Sequence, residues 1–219
     1  MSKRKAAIYP YGREFAPVVR HRWLLDQYEI TNLISPSGWG ISGKDASQAD
    51  GGQDTGMEVS CDINEAIDNW DTCIVANTNA GSSLKNTILT NIDAAAQSGK
   101  NIVCTLPFND VALNSIKQKC MQYGVLFDYY CDNANESVEA LLDGENIEEI
   151  DAPVVFVAGL TENVYKFEIE LSILEEVKKD GYKVSMIGSR NYCELFGTHS
   201  FPSFIYNTGI SEKHKILMF

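Results

Sequence analysis

A series of short apolar runs separated by helical stretches constrains this chain more than any other feature. Ala6–Tyr9, Glu29–Ile34, Thr72–Ala76, Ile102–Leu106 and Val125–Tyr129 are brief, rich in β-branched or aromatic residues, and bounded by turn formers. Between them, Leu84, Ile88, Ile92 and Ala95 recur at helical spacing, and a second helix is predicted to carry Val111, Ile116 and Cys120. Gly99 and Gly124 stand where those helices should stop. A further helix is predicted from about Pro17 to Asp26, with Arg20, His21 and Arg22 on a solvated face. Strands that are apolar on both faces belong in a sheet covered by helices on both sides. The alternation therefore predicts an α/β fold over residues 1–130: a Rossmann-like, doubly wound parallel sheet.

In such a sheet ligands sit outside the carboxyl ends of the strands. Tyr11–Glu14, Ser37–Asp45 and Thr78–Ser82 each follow a predicted strand, so the three loops are expected along one edge. The first of them holds a single glycine, Gly12, and lacks the Gly-rich dinucleotide fingerprint. Hydride chemistry with NAD is unsupported on that ground. Gly38-Trp39-Gly40-Ile41-Ser42-Gly43-Lys44-Asp45 matches two phosphate-binding patterns literally. Both patterns need a strand-to-helix turn. Here Ala46 to Gly52 is a poor helix and the run follows the second strand, so it is read as a loop that lines a cleft.

Residues 131–151 change character. They hold eight acids and no Lys or Arg, which reads as an acidic, solvated linker. A second α/β unit is predicted over residues 152–219, with strands at Val154–Ala158 and Lys183–Ile187. Between them lies a helix striped by Phe167, Leu171, Leu174 and Val177. Gly159 to Lys166 joins the first of these strands to the helix, in the position of a P-loop. Gly159, Thr161, Asn163 and Lys166 are the candidate cofactor-binding residues, with ATP or GTP as the nucleotide. The loop departs from the standard spacing, and Tyr165 and Phe167 stand where the second Gly and the Mg²⁺-binding hydroxyl belong. The 68 residues after Asp151 are about half of a nucleotide-binding α/β domain. The unit is therefore expected to be the truncated N-terminal part of one. Arg190 and His199 follow the last predicted strand and are the candidate catalytic residues, as anion binder and acid–base group.

Charge and cysteine usage bound the setting. The net charge of −12 argues against nucleic acid and anionic membrane surfaces as partners. No apolar run approaches a membrane span, and the basic start Met1–Lys5 lacks a following apolar region, so a cytoplasmic protein is expected. The six cysteines are never three apart, which removes CxxC zinc and redox motifs; no metal is expected, and the thiols are read as reduced.

The order of features resembles the DUF1611-type family. Its Rossmann-like domain carries a GKDA loop after the second strand, as at Gly43–Ala46, and a P-loop domain follows, as at Val155–Arg190. The phrases GLTENVYKFEIEL, GYKVSMIGSR and ELFGTHSFPSF also resemble a clostridial accessory family of peptide maturation, found beside radical-SAM enzymes and bacteriocin-like precursors. That resemblance implies an accessory role in maturing a ribosomally made peptide. The implied partners are the precursor peptide or the maturation enzymes, with a homo-oligomer as the further option. The DUF1611 resemblance implies an alternative: an ATP-linked ligase or N-acyltransferase acting on an amino-acid-like substrate.

Overall fold

The computed structural model describes residues 2–64, 67–78, 81–131, 151–160 and 165–201. The chain divides into two compact units: Met1–Cys131 with Glu194–Gly197, and Asp132–Cys193 with Thr198–Phe219.

The first unit is a six-stranded sheet of β1 (Arg4–Tyr9), β2 (Tyr28–Ile34), β3 (Val59–Ser60), β4 (Thr72–Val75), β5 (Asn101–Cys104) and β6 (Phe127–Tyr129). Every pairing is parallel, and the order is β3-β2-β1-β4-β5-β6. β1 is thus central, and the winding direction reverses between β1 and β4. This is the Rossmann-like architecture that the strand–helix alternation predicts. Two boundaries differ from the sequence reading. The helix expected to Asp26 ends early: α1 covers Ala16–Arg20 and a 3₁₀ turn covers Arg22–Leu24. β3 has only two residues, too few to show a periodicity.

All four residues of β4 are buried, as are Ala6 to Tyr9 in β1. On one face Ala7, Tyr9, Cys73, Val75, Ile102 and Cys104 form a single core with residues of two long helices. Ile88, Ile92, Ala95 and Ala96 come from α2 (Ser82–Gln97), and Ile116 and Cys120 from α3 (Asp110–Tyr123). Ala6, Ile8, Ile74 and Val103 are equally buried and point to the opposite face, because strand side chains alternate. Burial of each such Ile or Val contributes about 1.5–3 kcal/mol.

Helix ends follow local chemistry. The Asn109 side chain accepts a bond from the Ala112 amide at 2.9 Å and caps α3. At the other end Gly124 adopts φ 69°, which only glycine takes without cost, and the Val125 amide bonds back to the Cys120 carbonyl at 3.0 Å. Gly99 closes the end of α2 in the same left-handed way.

In the second unit α4 (Lys166–Lys179) buries Phe167, Leu171 and Leu174, three residues of the stripe read from the sequence. The Phe167 ring meets Tyr192 edge-on at 5.3 Å. β7 (Ile187–Gly188) and β8 (His199–Ser200) form a short parallel pair. The strand predicted over Lys183–Ile187 is therefore reduced to its last residue. The strand predicted over Val154–Ala158 is not formed. Val154, Val155 and Phe156 are 76%, 71% and 86% exposed. An apolar run becomes a strand only when another backbone pairs with it, and among the described residues none does.

Candidate functional site

Where the winding reverses between β1 and β4, the loops after β1, β2 and β4 enclose a cleft of about 260 Å³. Its lining is Pro10, Gly12 to Phe15, Trp39, Asn77 and Thr78. The described residues of the three loops expected at one edge of the sheet do lie there, as they must when all three strands are parallel; residues 79 and 80 lie outside the described residues.

Each loop is fixed by bonds that continue the sheet. The Tyr11 amide donates to the Ile34 carbonyl at 2.7 Å, and the Ala76 amide to the Tyr9 carbonyl at 2.9 Å. Below the β4 loop, the buried Thr105 hydroxyl donates to the Val75 carbonyl at 3.0 Å and accepts from the Asn77 amide at 2.9 Å. That one hydroxyl sets how the chain leaves β4 toward Asn77 and Thr78.

The loop after β2 owes its shape to Asp45. Its carboxylate accepts bonds from the Ser47 amide at 2.8 Å, the Thr55 amide at 3.0 Å, the Gly56 amide at 2.8 Å and the Thr55 hydroxyl at 3.2 Å. Burial alone would raise the Asp45 pKa, but the donors from Thr55 and Ser47 outweigh it and hold the carboxyl well below the usual range. The Gly43-Lys44-Asp45-Ala46 segment is thus a capped turn. A 3₁₀ helix of four residues, Ala46–Ala49, follows it, and the Lys44 ammonium donates to the Gly40 carbonyl at 2.7 Å.

Two further ties hold this loop to the β1 loop and α1. The Tyr11 hydroxyl donates to the Ala46 carbonyl at 3.0 Å. Burial, followed by the negative charge of Asp50, raises the Tyr11 pKa and keeps that hydroxyl a donor. The Arg20 guanidinium grips Asp50 with both arms, at 3.0 and 2.5 Å. Burial raises the Asp50 pKa, yet the Arg20 bonds more than offset this and the net shift is downward. His21, expected on a solvated face, is in fact buried and lies 5.6 Å from the Trp23 ring. The helix stops at Arg20, so the faces predicted for residues 21 to 26 do not apply.

Within this frame Trp39 lies on the backbone of Gly12. A β-carbon added to Gly12 would fall 2.6 Å from Trp39 Cζ3 and 3.2 Å from Cε3. Trp39 as a whole remains 36% exposed. Trp39 gives the cleft an aromatic wall, Arg13 and Glu14 also line it, and the β4 loop adds Asn77 and Thr78. Sequence reasoning placed these loops but not Trp39, since nothing in GWG signals a contact with a residue so distant in the chain.

The candidates of the second unit are placed separately. Gly159 is exposed and follows no strand, while Lys166 opens α4 behind Tyr165, which has φ 26°. Thr161 and Asn163 lie outside the described residues. His199 opens β8 opposite Ile187, whereas Arg190 follows the end of β7, so the short ladder does not bring the two side by side. Among the described residues no cluster of His, Cys, Asp and Glu can hold a metal ion. None of the six cysteines is in a disulfide. Burial pushes Cys73 up to about 12 and Cys120 up to about 11, so both remain protonated.

A wider concavity of about 520 Å³ lies between α2 and α3, crossed by the Lys119–Asp93 ion pair at 2.7 Å. It is a groove between packed helices, set apart from the carboxyl ends of β1, β2 and β4. The smaller cleft has the position that α/β chemistry uses.

The fold and cleft define a Rossmann-like α/β protein with a crevice at its topological switch point. Comparison of the fold finds a DUF1611 family protein from Anabaena variabilis: TM-score 0.60, 16% identity, covering 90% of this chain and 57% of that one. The chain shares that protein's fold and spans a little over half its length. Two other solved structures match over part of the chain. A biliverdin reductase from Synechocystis, in complex with biliverdin and NADP+, aligns with TM-score 0.42 and 18% identity over 57% of this chain and 37% of its own. An oxidoreductase from Agrobacterium radiobacter, in complex with NAD+, L-tartaric acid and magnesium, aligns with TM-score 0.45 and 11% identity over 58% and 35%. No family model matches the sequence, and no curated protein matches it. Among the described residues no helix is long and apolar enough to cross a membrane.

Proposed function

We propose that the first unit is a small-ligand-binding module and that its ligand sits in the cleft between the β1, β2 and β4 loops. The observation that carries this reading is the convergence of Arg13, Glu14, Trp39, Asn77 and Thr78 at the switch point of the sheet. These groups are suited to recognition: a guanidinium, a carboxylate, an amide, a hydroxyl and an aromatic face. Binding without chemistry suits the accessory role in cytoplasmic peptide maturation that the sequence resemblance implies. The cleft would hold a small molecule or one side chain of the precursor peptide.

The experiment is a binding screen of the whole chain, followed by amide and indole NMR shifts, with ATP, GTP, acyl-CoA and short peptides. Saturable shifts at Gly12, Trp39 and Asn77, abolished by Arg13→Ala, support the cleft. Saturable ATP or GTP binding that leaves these signals unmoved and is lost on Lys166→Ala would transfer the function to the second unit and to the ATP-linked enzyme.

A further inference from the structure

We infer that Trp39 makes the cleft selective for a compact ligand with a planar ring and a single negative charge, such as an aryl monocarboxylate, and closes it to dinucleotides. The inference rests on the cleft being the ligand site. It begins with Gly12. In a dinucleotide-binding sheet the glycine of the first turn lets the pyrophosphate approach the backbone. Here the room left by the missing side chain is already filled, because Trp39 Cζ3 stands 2.6 Å from where a Gly12 β-carbon would be. The φ of Gly12 is −166°, extended backbone that any residue adopts. The glycine is therefore needed for the indole, not for the turn.

The next α-helix offers no alternative seat for a diphosphate. α1 has only five residues and starts behind a 3₁₀ turn, so it presents no developed helix terminus. Charge points the same way. Among the described lining residues Arg13 is matched by Glu14, so the pair brings no net positive charge to hold a diphosphate, while Arg13 alone can meet one carboxylate. At about 260 Å³ the cleft is below the ~300–1,000 Å³ usual for drug-sized ligands. The exposed part of Trp39 is a surface for a flat ring, and Arg13 suits a carboxylate, which a guanidinium binds through two parallel N–H donors.

The test uses the whole chain with benzoate, phenylacetate and indole-3-acetate as probes, each paired with its uncharged amide, and with NAD+ as the competitor class. Binding is read by calorimetry and by the indole N–H signal of Trp39, assigned through Trp39→Phe. At least one carboxylate is expected to bind saturably and shift Trp39, with its amide and NAD+ both weaker by about tenfold or more. Trp39→Ala should weaken the carboxylate by about tenfold, the usual worth of one aromatic stack, while Trp39→Phe retains most of the affinity and guards against a folding defect. NAD+ binding that shifts Trp39 and exceeds every carboxylate would overturn the selectivity and leave the cleft as the site. If no probe moves any cleft signal, the cleft itself is refuted as a ligand site, and the inference falls with it.

Discussion

The Trp39 indole packs directly on the backbone of Gly12, so a residue of the β2 loop supplies the side chain that the β1 loop omits. Gly12→Ala adds one methyl group into that contact without straining the backbone, whose φ is −166°. It should cost about 1–3 kcal/mol, as overpacking does. Thermal melts give the cost, and a shifted Trp39 indole signal shows whether the ring has moved. An alanine variant with unchanged stability and signal would show that the ring rests on Gly12 loosely.

Asp45 is expected to be the pH-sensitive point of the β2 loop. Its folded pKa lies below the ordinary carboxylate value, so its stabilisation is complete above that value and is lost as pH falls through the folded pKa. Wild-type stability should therefore fall progressively below about pH 4. Asp45→Asn should be less stable by about 1.5–3 kcal/mol at neutral pH and show a flatter acid limb. Urea midpoints measured between pH 3 and pH 7 for both proteins decide the matter; parallel curves would rule Asp45 out.

Arg20 and Asp50 form a pair whose side chains are 17% and 4% exposed. Removing one partner strips the other of the counter-charge it grips, which costs up to about 3–5 kcal/mol. Arg20→Met or Asp50→Leu alone should show this loss in urea denaturation. The double variant should recover most of it. Losses that simply add would mean that the pair is not coupled.

Thr105→Val keeps the shape of a buried side chain but deletes the hydroxyl that joins Val75 to Asn77. The stranded Asn77 amide should cost about 1–3 kcal/mol. The Asn77 amide should also gain hydrogen exchange, while Ile102 and Val103 inside β5 stay protected. Unchanged exchange at Asn77 would mean that another acceptor replaces Thr105.

Amides of Val154, Val155 and Phe156 are expected to exchange rapidly, because these residues are exposed and belong to no strand. Slow exchange there, read by mass spectrometry on the intact chain, would reveal a pairing partner for the segment.

What the sequence disclosed follows from where the folding information is stored. β1, β4 and β5 were legible because a strand buried on both faces is apolar at most positions, as at Ile8, Ile74 and Val103. The ends of α2 and α3 were legible because Gly99 and Gly124 carry their own signal in the left-handed conformation. Val154–Ala158 is at least as apolar as β4 yet forms no strand, since pairing depends on a second segment that composition does not reveal. The cleft was half legible. Loop positions follow from strand order, but the Trp39–Gly12 contact and the Arg20–Asp50 pair join residues about 30 apart, and nothing local announces either.

The middle position of β1 also governs the timing of assembly. Ala6 pairs with Ile30 on one side and with Thr72 on the other, so β1 gains its second neighbour only after β2 and the whole segment up to β4 have been made. Until the segment around Thr72 has been synthesised, the nascent chain carries a hydrophobic strand with one bare flank, the kind of intermediate that chaperones shield. Folding of this unit should thus be slow to begin and abrupt to finish, with little native structure gained from any fragment that ends before β4.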